Sequence, residues 1–251
     1  MILQNKILWV DFADEDGLAV RFDRTGTVRQ VRLPDGKTFC TRESLPNGPG
    51  GCFLKPGVGF LRKEADIPYS FGDKYPLVDR GRITQESGDD WVRVTWEIAP
   101  QNGYACRVEK HITLKDNSIH TAYHMVNTGE KAFAITEYCH NFVSLGGAVF
   151  PGDHQLTLIT DDGREEKSCL MKSDVDSAYH TLDKEQCRKL RGWILSNDYG
   201  ALSETVDFPI WKMAVWTVPH VSSSEIFYRI DLRPGEQTSW SRTHRFSSDT
   251  L

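Results

Sequence analysis

Apolar and polar residues alternate along most of the chain. The runs "WVRVTWEI" (91–98), "YACRVEKHITL" (104–114), "SIHTAYHMVN" (118–127), "AFAITEYCHNFVSL" (132–145), "HQLTLIT" (154–160), "KMAVWTV" (212–218), "EIFYRIDL" (225–232) and "TSWSRTHRF" (238–246) are rich in β-branched and aromatic residues. Period-two alternation in such residues predicts half-buried strands. "LAVRFD" (18–23), "TVRQVRL" (27–33) and "RITQES" (82–87) extend the series toward the N-terminus. Turn signals separate the runs: "DRTG", "LPDGK", "ESGDD", "PQNG", "KDNS", "NTGEK", "TDDG" and "RPGE". Strand and turn follow each other at intervals of roughly ten residues, which predicts a sandwich or barrel.

Two regions break the rhythm. Residues 43–81 are rich in Gly, Pro and aromatics, and residues 164–210 mix charge with weak periodicity. Within the second, "SAYHTLDKEQCRKLRGW" (177–193) is the best helix candidate. No composition shift marks a linker. The expectation is a single all-β domain over residues 1–251, a large antiparallel sandwich with long loops at one rim. Loops on a rigid sheet scaffold are where binding residues tend to sit. The first loop carries Lys55, Arg62, Lys63, Tyr69, Phe71 and Tyr75 among its glycines. Rings that stack on pyranose C–H faces and cations that donate to hydroxyls suit a sugar. The same aromatics would equally serve as cover for a sheet end.

Composition narrows the partners. The chain has 251 residues, a net charge of −5 and a pI near 5.9. That argues against nucleic acid and against an anionic membrane surface as partners. No apolar window is long enough for a membrane span, and the N-terminus lacks a signal-peptide pattern. The six cysteines (40, 52, 106, 139, 169 and 187) show no C-x-x-C spacing. Reduced thiols and a cytoplasmic location are expected.

The candidate chemistry centres on "ITEYCHNFVSLGG" (135–147). Successive strand side chains point to opposite faces. Thr136, Tyr138, His140 and Phe142 therefore share one face, and Glu137, Cys139 and Asn141 the other. That parity separates Glu137 from His140. His120 and His124 share a face on the preceding run, where hydrogen-bonded structural roles are the ordinary expectation. No H-x-H, H-E-x-x-H, G-x-S-x-G, phosphate loop or dinucleotide fingerprint occurs. No metal and no cofactor are expected.

Three segments carry a family resemblance. "VNTGEKAFAITEYCHNFVSLGG" (126–147) resembles the central signature of the aldose 1-epimerase, or galactose mutarotase-like, superfamily. "EIFYRIDLRPGEQTSWSRTHRF" (225–246) is similar to that superfamily's ending. "FLKPGVGFLRKEADIPYSFGDKYPL" (53–77) looks like the loop of a divergent bacterial branch, with Gly-Val-Gly in place of the His-Gly of true epimerases. The resemblance spans roughly residues 15–247 and implies the supersandwich, a large antiparallel β-sandwich.

It also implies roles. His140 matches the general acid that protonates the sugar ring oxygen. A carboxylate near the C-terminus removes the anomeric hydroxyl proton, and Glu225 is the candidate. Trp216 occupies the place of the usual family glutamate, and the first-loop histidine has no match. Lys55, Arg62, Tyr69, Phe71, Tyr138 and Trp216 are the candidate substrate-binding residues. His140 and Glu225 are expected to face each other across a pocket about one pyranose wide. The leading expectation is a mutarotase-type isomerase acting on a small-molecule sugar. The alternative is a carbohydrate-binding or sensing protein without the chemistry, and a lyase on a sugar or uronate ranks third. Exposed sheet edges allow a homodimer.

Overall fold

The computed structural model describes residues 1–13, 27–39, 53–55, 58–62, 70, 75–172 and 177–249. The strands among them are numbered β1 to β19 in chain order. A nine-stranded antiparallel sheet is built from β7 (Arg82–Ser87), β8 (Trp91–Glu97), β9 (Cys106–Lys115), β10 (Ser118–Asn127), β12 (Gln155–Thr160), β13 (Gly163–Glu166), β15 (Leu190–Asn197), β16 (Gly200–Val206) and β19 (Gln237–Ser247). Its order is β13-β12-β15-β16-β19-β10-β9-β8-β7. A four-stranded sheet has the order β11 (Phe133–Tyr138), β18 (Val221–Leu232), β17 (Lys212–Val218), β14 (Ala178–Thr181). Two three-stranded sheets complete the fold: β1 (Ile2–Gln4), β2 (Trp9–Ala13) and β3 (Thr27–Arg32), then β4 (Phe53–Lys55), β5 (Gly59–Leu61) and β6 (Leu77–Asp79).

The alternation seen in the sequence is what packs the sandwich. On β8 and β9, Val92, Val94, Trp96, Val108, Ile112 and Leu114 point inward. They belong to one continuous core with Met213, Val215, Ile226 and Ile230 from the four-stranded sheet. Side chains facing each other across two sheets interdigitate in this way in sandwiches. Full burial of one such side chain stabilises by about 1.5–3 kcal/mol.

A charged cluster crosses the same interior. Arg242 on β19 is fully buried and donates to Glu204 on β16 (2.5 Å), to Glu137 on β11 (2.6 Å) and to the Ile226 carbonyl on β18 (3.0 Å). Trp193 Nε1 donates to the other Glu204 oxygen at 2.7 Å. One guanidinium thus ties the two sheets together. Its planar fork of donors is suited to two carboxylates at once.

The structure corrects the two irregular regions. Among the described residues of 164–210 lie β13, β14, β15 and β16, with an α-helix only over Lys184–Lys189. Asp183 and Gln186 close a reciprocal capping box at the start of that helix, the arrangement that satisfies two orphan donors. β15 escaped the period-two reading because nearly every residue of "LRGWILSN" is buried. A strand covered on both faces reads as a continuous apolar run, without alternation. The first loop, 43–81, contains the short strands β4, β5 and β6. The predicted strand "LAVRFD" (18–23) lies outside the described residues. No helix among the described residues is long and apolar enough to cross a membrane.

Candidate functional site

The approach to the site begins at Asn127, which is fully buried at the end of β10. Its amide donates to the Lys131 and Leu232 carbonyls, and its oxygen accepts from the Gly129 N–H. This staples the "NTGEK" turn and delivers the chain into β11. β11 then pairs with β18 from Phe133↔Leu232 to Tyr138↔Phe227. The regular strand ends at Tyr138, but an isolated bridge at Val143↔Ser222 keeps the same register. His140 therefore stands opposite Glu225, and Asn141 opposite Ser224. Asn141 Nδ2 donates to the Ser224 carbonyl at 2.9 Å. That bond holds the chain against β18 where ladder bonds lapse.

Directly opposed residues on an antiparallel pair have Cβ atoms about 5 Å apart. His140 Nε2 lies 3.3 Å from Glu225 Oε1, with side-chain exposures of 7% and 5%. Burial pushes the Glu225 carboxyl up from 4.5 to about 7, opposed by the neighbouring Ser223 hydroxyl and by the positive charge of Lys212. Desolvation disfavours the charged carboxylate. Its proton equilibrium therefore sits where general acid–base chemistry at neutral pH needs it.

Aromatic rings surround the pair. The His140 ring is 4.3 Å from Phe142, 5.3 Å from Trp216 and 6.4 Å from Tyr138, centroid to centroid. Tyr138 stacks on Phe227 at 4.5 Å. β17 pairs with β18 through Lys212↔Phe227, Ala214↔Glu225 and Trp216↔Ser223. Those residues consequently share the face of Glu225. β14 adds Tyr179 opposite Trp216. Lys212 Nζ donates to the Tyr179 hydroxyl at 2.8 Å and lies 4.8 Å from the Phe227 ring centre.

The predicted site residues fall into three groups. His140, Glu225, Tyr138 and Trp216 come together on one face of the four-stranded sheet. Arg62 follows β5 and is exposed; its backbone N–H donates to the Pro76 carbonyl at 2.8 Å. None of its described contacts reaches the His140–Glu225 pair. Lys55 lies on β4 with its side chain outside the described part, and Tyr69 and Phe71 lie outside the described residues. Lys212, Tyr179, Phe142 and Phe227 were missed as site residues. Parity along "KMAVWTV" puts Lys212 on the side of Trp216, but only the β17–β18 register reveals that this side is shared with Glu225.

One expectation of geometry is revised. The acid and base candidates touch directly; no pyranose-wide gap separates them. They are cross-strand neighbours on one sheet, so register fixes their separation. The remaining polar residues read from sequence are structural: Glu137 pairs with Arg242, while His120 and His124 bond Thr243 and Ser239 at 3.0 Å each. Two surface depressions, about 550 Å³ beside Asp79, Arg82 and Glu97 and about 360 Å³ beside His154 and Glu166, do not include His140 or Glu225 in their linings. Among the described residues no group of three His, Cys, Asp or Glu side chains is placed to hold a metal ion.

A large antiparallel sandwich thus carries a buried His–Glu pair on one face of its four-stranded sheet. The particular fold is galactose mutarotase-like. A galactose mutarotase-like protein from Lactobacillus casei superposes with a TM-score of 0.67 at 11% identity, over 98% of this chain and 99% of that one. The galactose 1-epimerase from Lactobacillus acidophilus superposes with a TM-score of 0.61 at 13% identity, over 99% and 94%. A TPR-domain containing protein from Parabacteroides distasonis gives 0.57 at 14% identity, covering 99% of this chain and 47% of that one. No family model and no curated protein sequence matches the chain.

Proposed function

We propose that this protein catalyses anomer interconversion of a pyranose, with His140 as general acid and Glu225 as general base. The observation that carries the reading is the buried 3.3 Å contact between His140 Nε2 and Glu225 Oε1. The galactose mutarotase-like fold supports it by analogy, and fold alone does not imply function. In the forward step Glu225 takes the proton of the anomeric hydroxyl. The freed O1 electron pair forms the C1=O1 bond, the C1–O5 bond breaks, and O5 takes the proton of His140. Rotation about C1–C2 and reversal of these transfers closes the other anomer. O1 and O5 hang on the same carbon, so an acid and a base side by side address both. Tyr138 offers a ring face to the sugar.

The test is direct. Anomer exchange of glucose, galactose and their 6-deoxy relatives is followed by polarimetry or NMR with wild type and His140→Ala. A rate enhancement lost in the variant upholds the proposal. No enhancement on any aldose overturns it.

A second reading is a sugar-binding protein without turnover. It is favoured by Trp216, which stands where the resemblance places the family glutamate, 5.3 Å from the His140 ring. It is favoured also by the near-complete cover over the pair. Sugar binding without rate enhancement is its signature.

A further inference from the structure

The nine-stranded sheet ends at β7, and among the described residues no strand pairs with its far side. Every residue of β7, "RITQES", is exposed, so this edge lies open along its length. The phase of its ladder follows from the hairpin that joins it to β8. The Gly88 N–H donates to the Trp91 carbonyl at 2.9 Å. From there the register runs without a shift from Ser87↔Val92 to Arg82↔Glu97. Hydrogen-bonded and non-hydrogen-bonded pairs alternate along an antiparallel ladder. Arg82, Thr84 and Glu86 therefore direct their backbone groups to β8, while Ile83, Gln85 and Ser87 turn theirs to the open edge. Such an edge is a template for another strand.

The side chains divide in the same way. Ile83 is opposite Trp96 and Gln85 opposite Val94, on the face where β8 enters the core. Ile83 is nonetheless 40% exposed, since no strand lies beyond it. Arg82, Thr84 and Glu86 are on the other face, opposite Glu97, Thr95 and Arg93. Glu86 lies 3.5 Å from Arg93. The open edge thus ends in a cation backed by Glu97 and an anion backed by Arg93, with a small neutral residue midway between them.

We infer that the β7 edge pairs antiparallel with the β7 edge of a second copy of this chain, about a two-fold axis at Thr84. In that register Ile83 exchanges backbone hydrogen bonds with Gln85 of the second copy, and Gln85 with Ile83, which uses the groups already turned outward. Arg82 meets Glu86 of the second copy, and Glu86 meets Arg82. Both are non-hydrogen-bonded pairs, where side chains stand closer. Across the seam the outer face then reads Arg93, Glu86, Arg82, Glu97, alternating in sign at each strand. An axis at Gln85 would set Glu86 against Thr84, and an axis at Ile83 would set Arg82 against Thr84; either loses both charge pairs. Opposite charges directly across a ladder stabilise it and like charges destabilise it. The contact is isologous, the same patch on both copies, as closed two-fold symmetry requires. The far end of the sheet fits less well. There β13 spans four residues, and Glu166 already accepts from Gln155 and Ser168.

The experiment is sedimentation velocity of the full chain over a range of concentrations, with circular dichroism to check the fold of each variant. Wild type is expected to form a reversible dimer that weakens as salt rises. Gln85→Pro removes one outward N–H and leaves the ladder with β8 intact, since proline is accepted on edge strands; it is expected to be a monomer. Arg82→Glu and Glu86→Arg each set like charges against each other twice, and each should weaken self-association about ten-fold or more. Mixed in equal amounts, these two variants should dimerise again, because each altered position then meets the opposite charge on the other variant. The charge variants carry the test should Gln85→Pro fail to fold. A wild type that stays monomeric at every concentration overturns the inference. So does a dimer that survives both charge reversals, or a mixture of the two that fails to restore it.

Discussion

Trp216 and Glu225 occupy neighbouring strands and present their side chains on the same face, because Ala214 pairs with Glu225 and Trp216 with Ser223 in the β17–β18 ladder. The place where the resemblance expects a glutamate holds an indole. A carboxylate stands one strand away and reaches the same histidine. The His140 ring contacts both: Trp216 at 5.3 Å between ring centres, and Glu225 through Nε2 at 3.3 Å. The His140–Glu225 contact is therefore assembled between β18 and the segment that follows β11, with β17 supplying a wall.

If the pair does the chemistry, either half is indispensable. His140→Ala and Glu225→Gln are each expected to slow anomer exchange by about two or more decades, the usual worth of general acid–base help. The double variant should lose little more than either single one, since residues that act as a unit are not additive. Polarimetric rates at saturating sugar decide this, with sugar affinity measured in parallel.

The raised Glu225 proton affinity sets a pH signature. Activity is expected to rise with pH through about 7, where the carboxyl ionises. Lys212 holds that value down, so Lys212→Met should move the rising limb to higher pH. A pH–rate profile of both proteins reads the shift.

Stability should depend on the same group with a definite sign. The fold binds the Glu225 proton more tightly than the unfolded chain does, so its contribution is fully present below pH 4.5 and is lost as pH rises through about 7. The whole swing is about 3 kcal/mol. Urea unfolding across this window should show less pH-dependent loss in Glu225→Gln than in wild type.

Arg242 is the tie between sheets. Removing it leaves Glu204, which is fully buried, without its 2.5 Å partner, and Glu137 without its 2.6 Å one. Breaking one partner of a buried pair costs about 3–5 kcal/mol. Arg242→Met is expected to lower the urea midpoint sharply. Adding Glu204→Gln and Glu137→Gln should recover part of the loss, because the stranded charges are then gone.

The thiols should separate by reactivity. Burial pushes the Cys139 thiol up to about 12, with the negative charge of Glu204 adding to the effect. Cys169 is exposed. Thiolate is the reactive form. Brief alkylation at mildly alkaline pH, read by peptide mass spectrometry, should label Cys169 and spare Cys139.

Much of the fold was legible in the sequence because alternation is a local signal. The runs that became β8, β9, β10, β12 and β19 each bury mainly one face, and period-two patterning records that directly. β15 buries nearly every residue and β14 spans only four, so neither carried the signal. Parity also placed Glu137 away from His140, and the structure sends Glu137 inward to Arg242. The sequence determined by itself which residues share a face within one strand. It did not determine which strands are neighbours, since pairing partners are far apart in the chain and several registers satisfy the same local pattern. The contact of His140 with Glu225, 85 positions along the sequence, follows from one register, with Tyr138 opposite Phe227 and Val143 opposite Ser222. The placing of Lys212 and Tyr179 beside them follows from two more, β17 on β18 and β14 on β17. Those choices belong to the tertiary structure, because only the packing of the whole sandwich selects among registers that are locally equivalent.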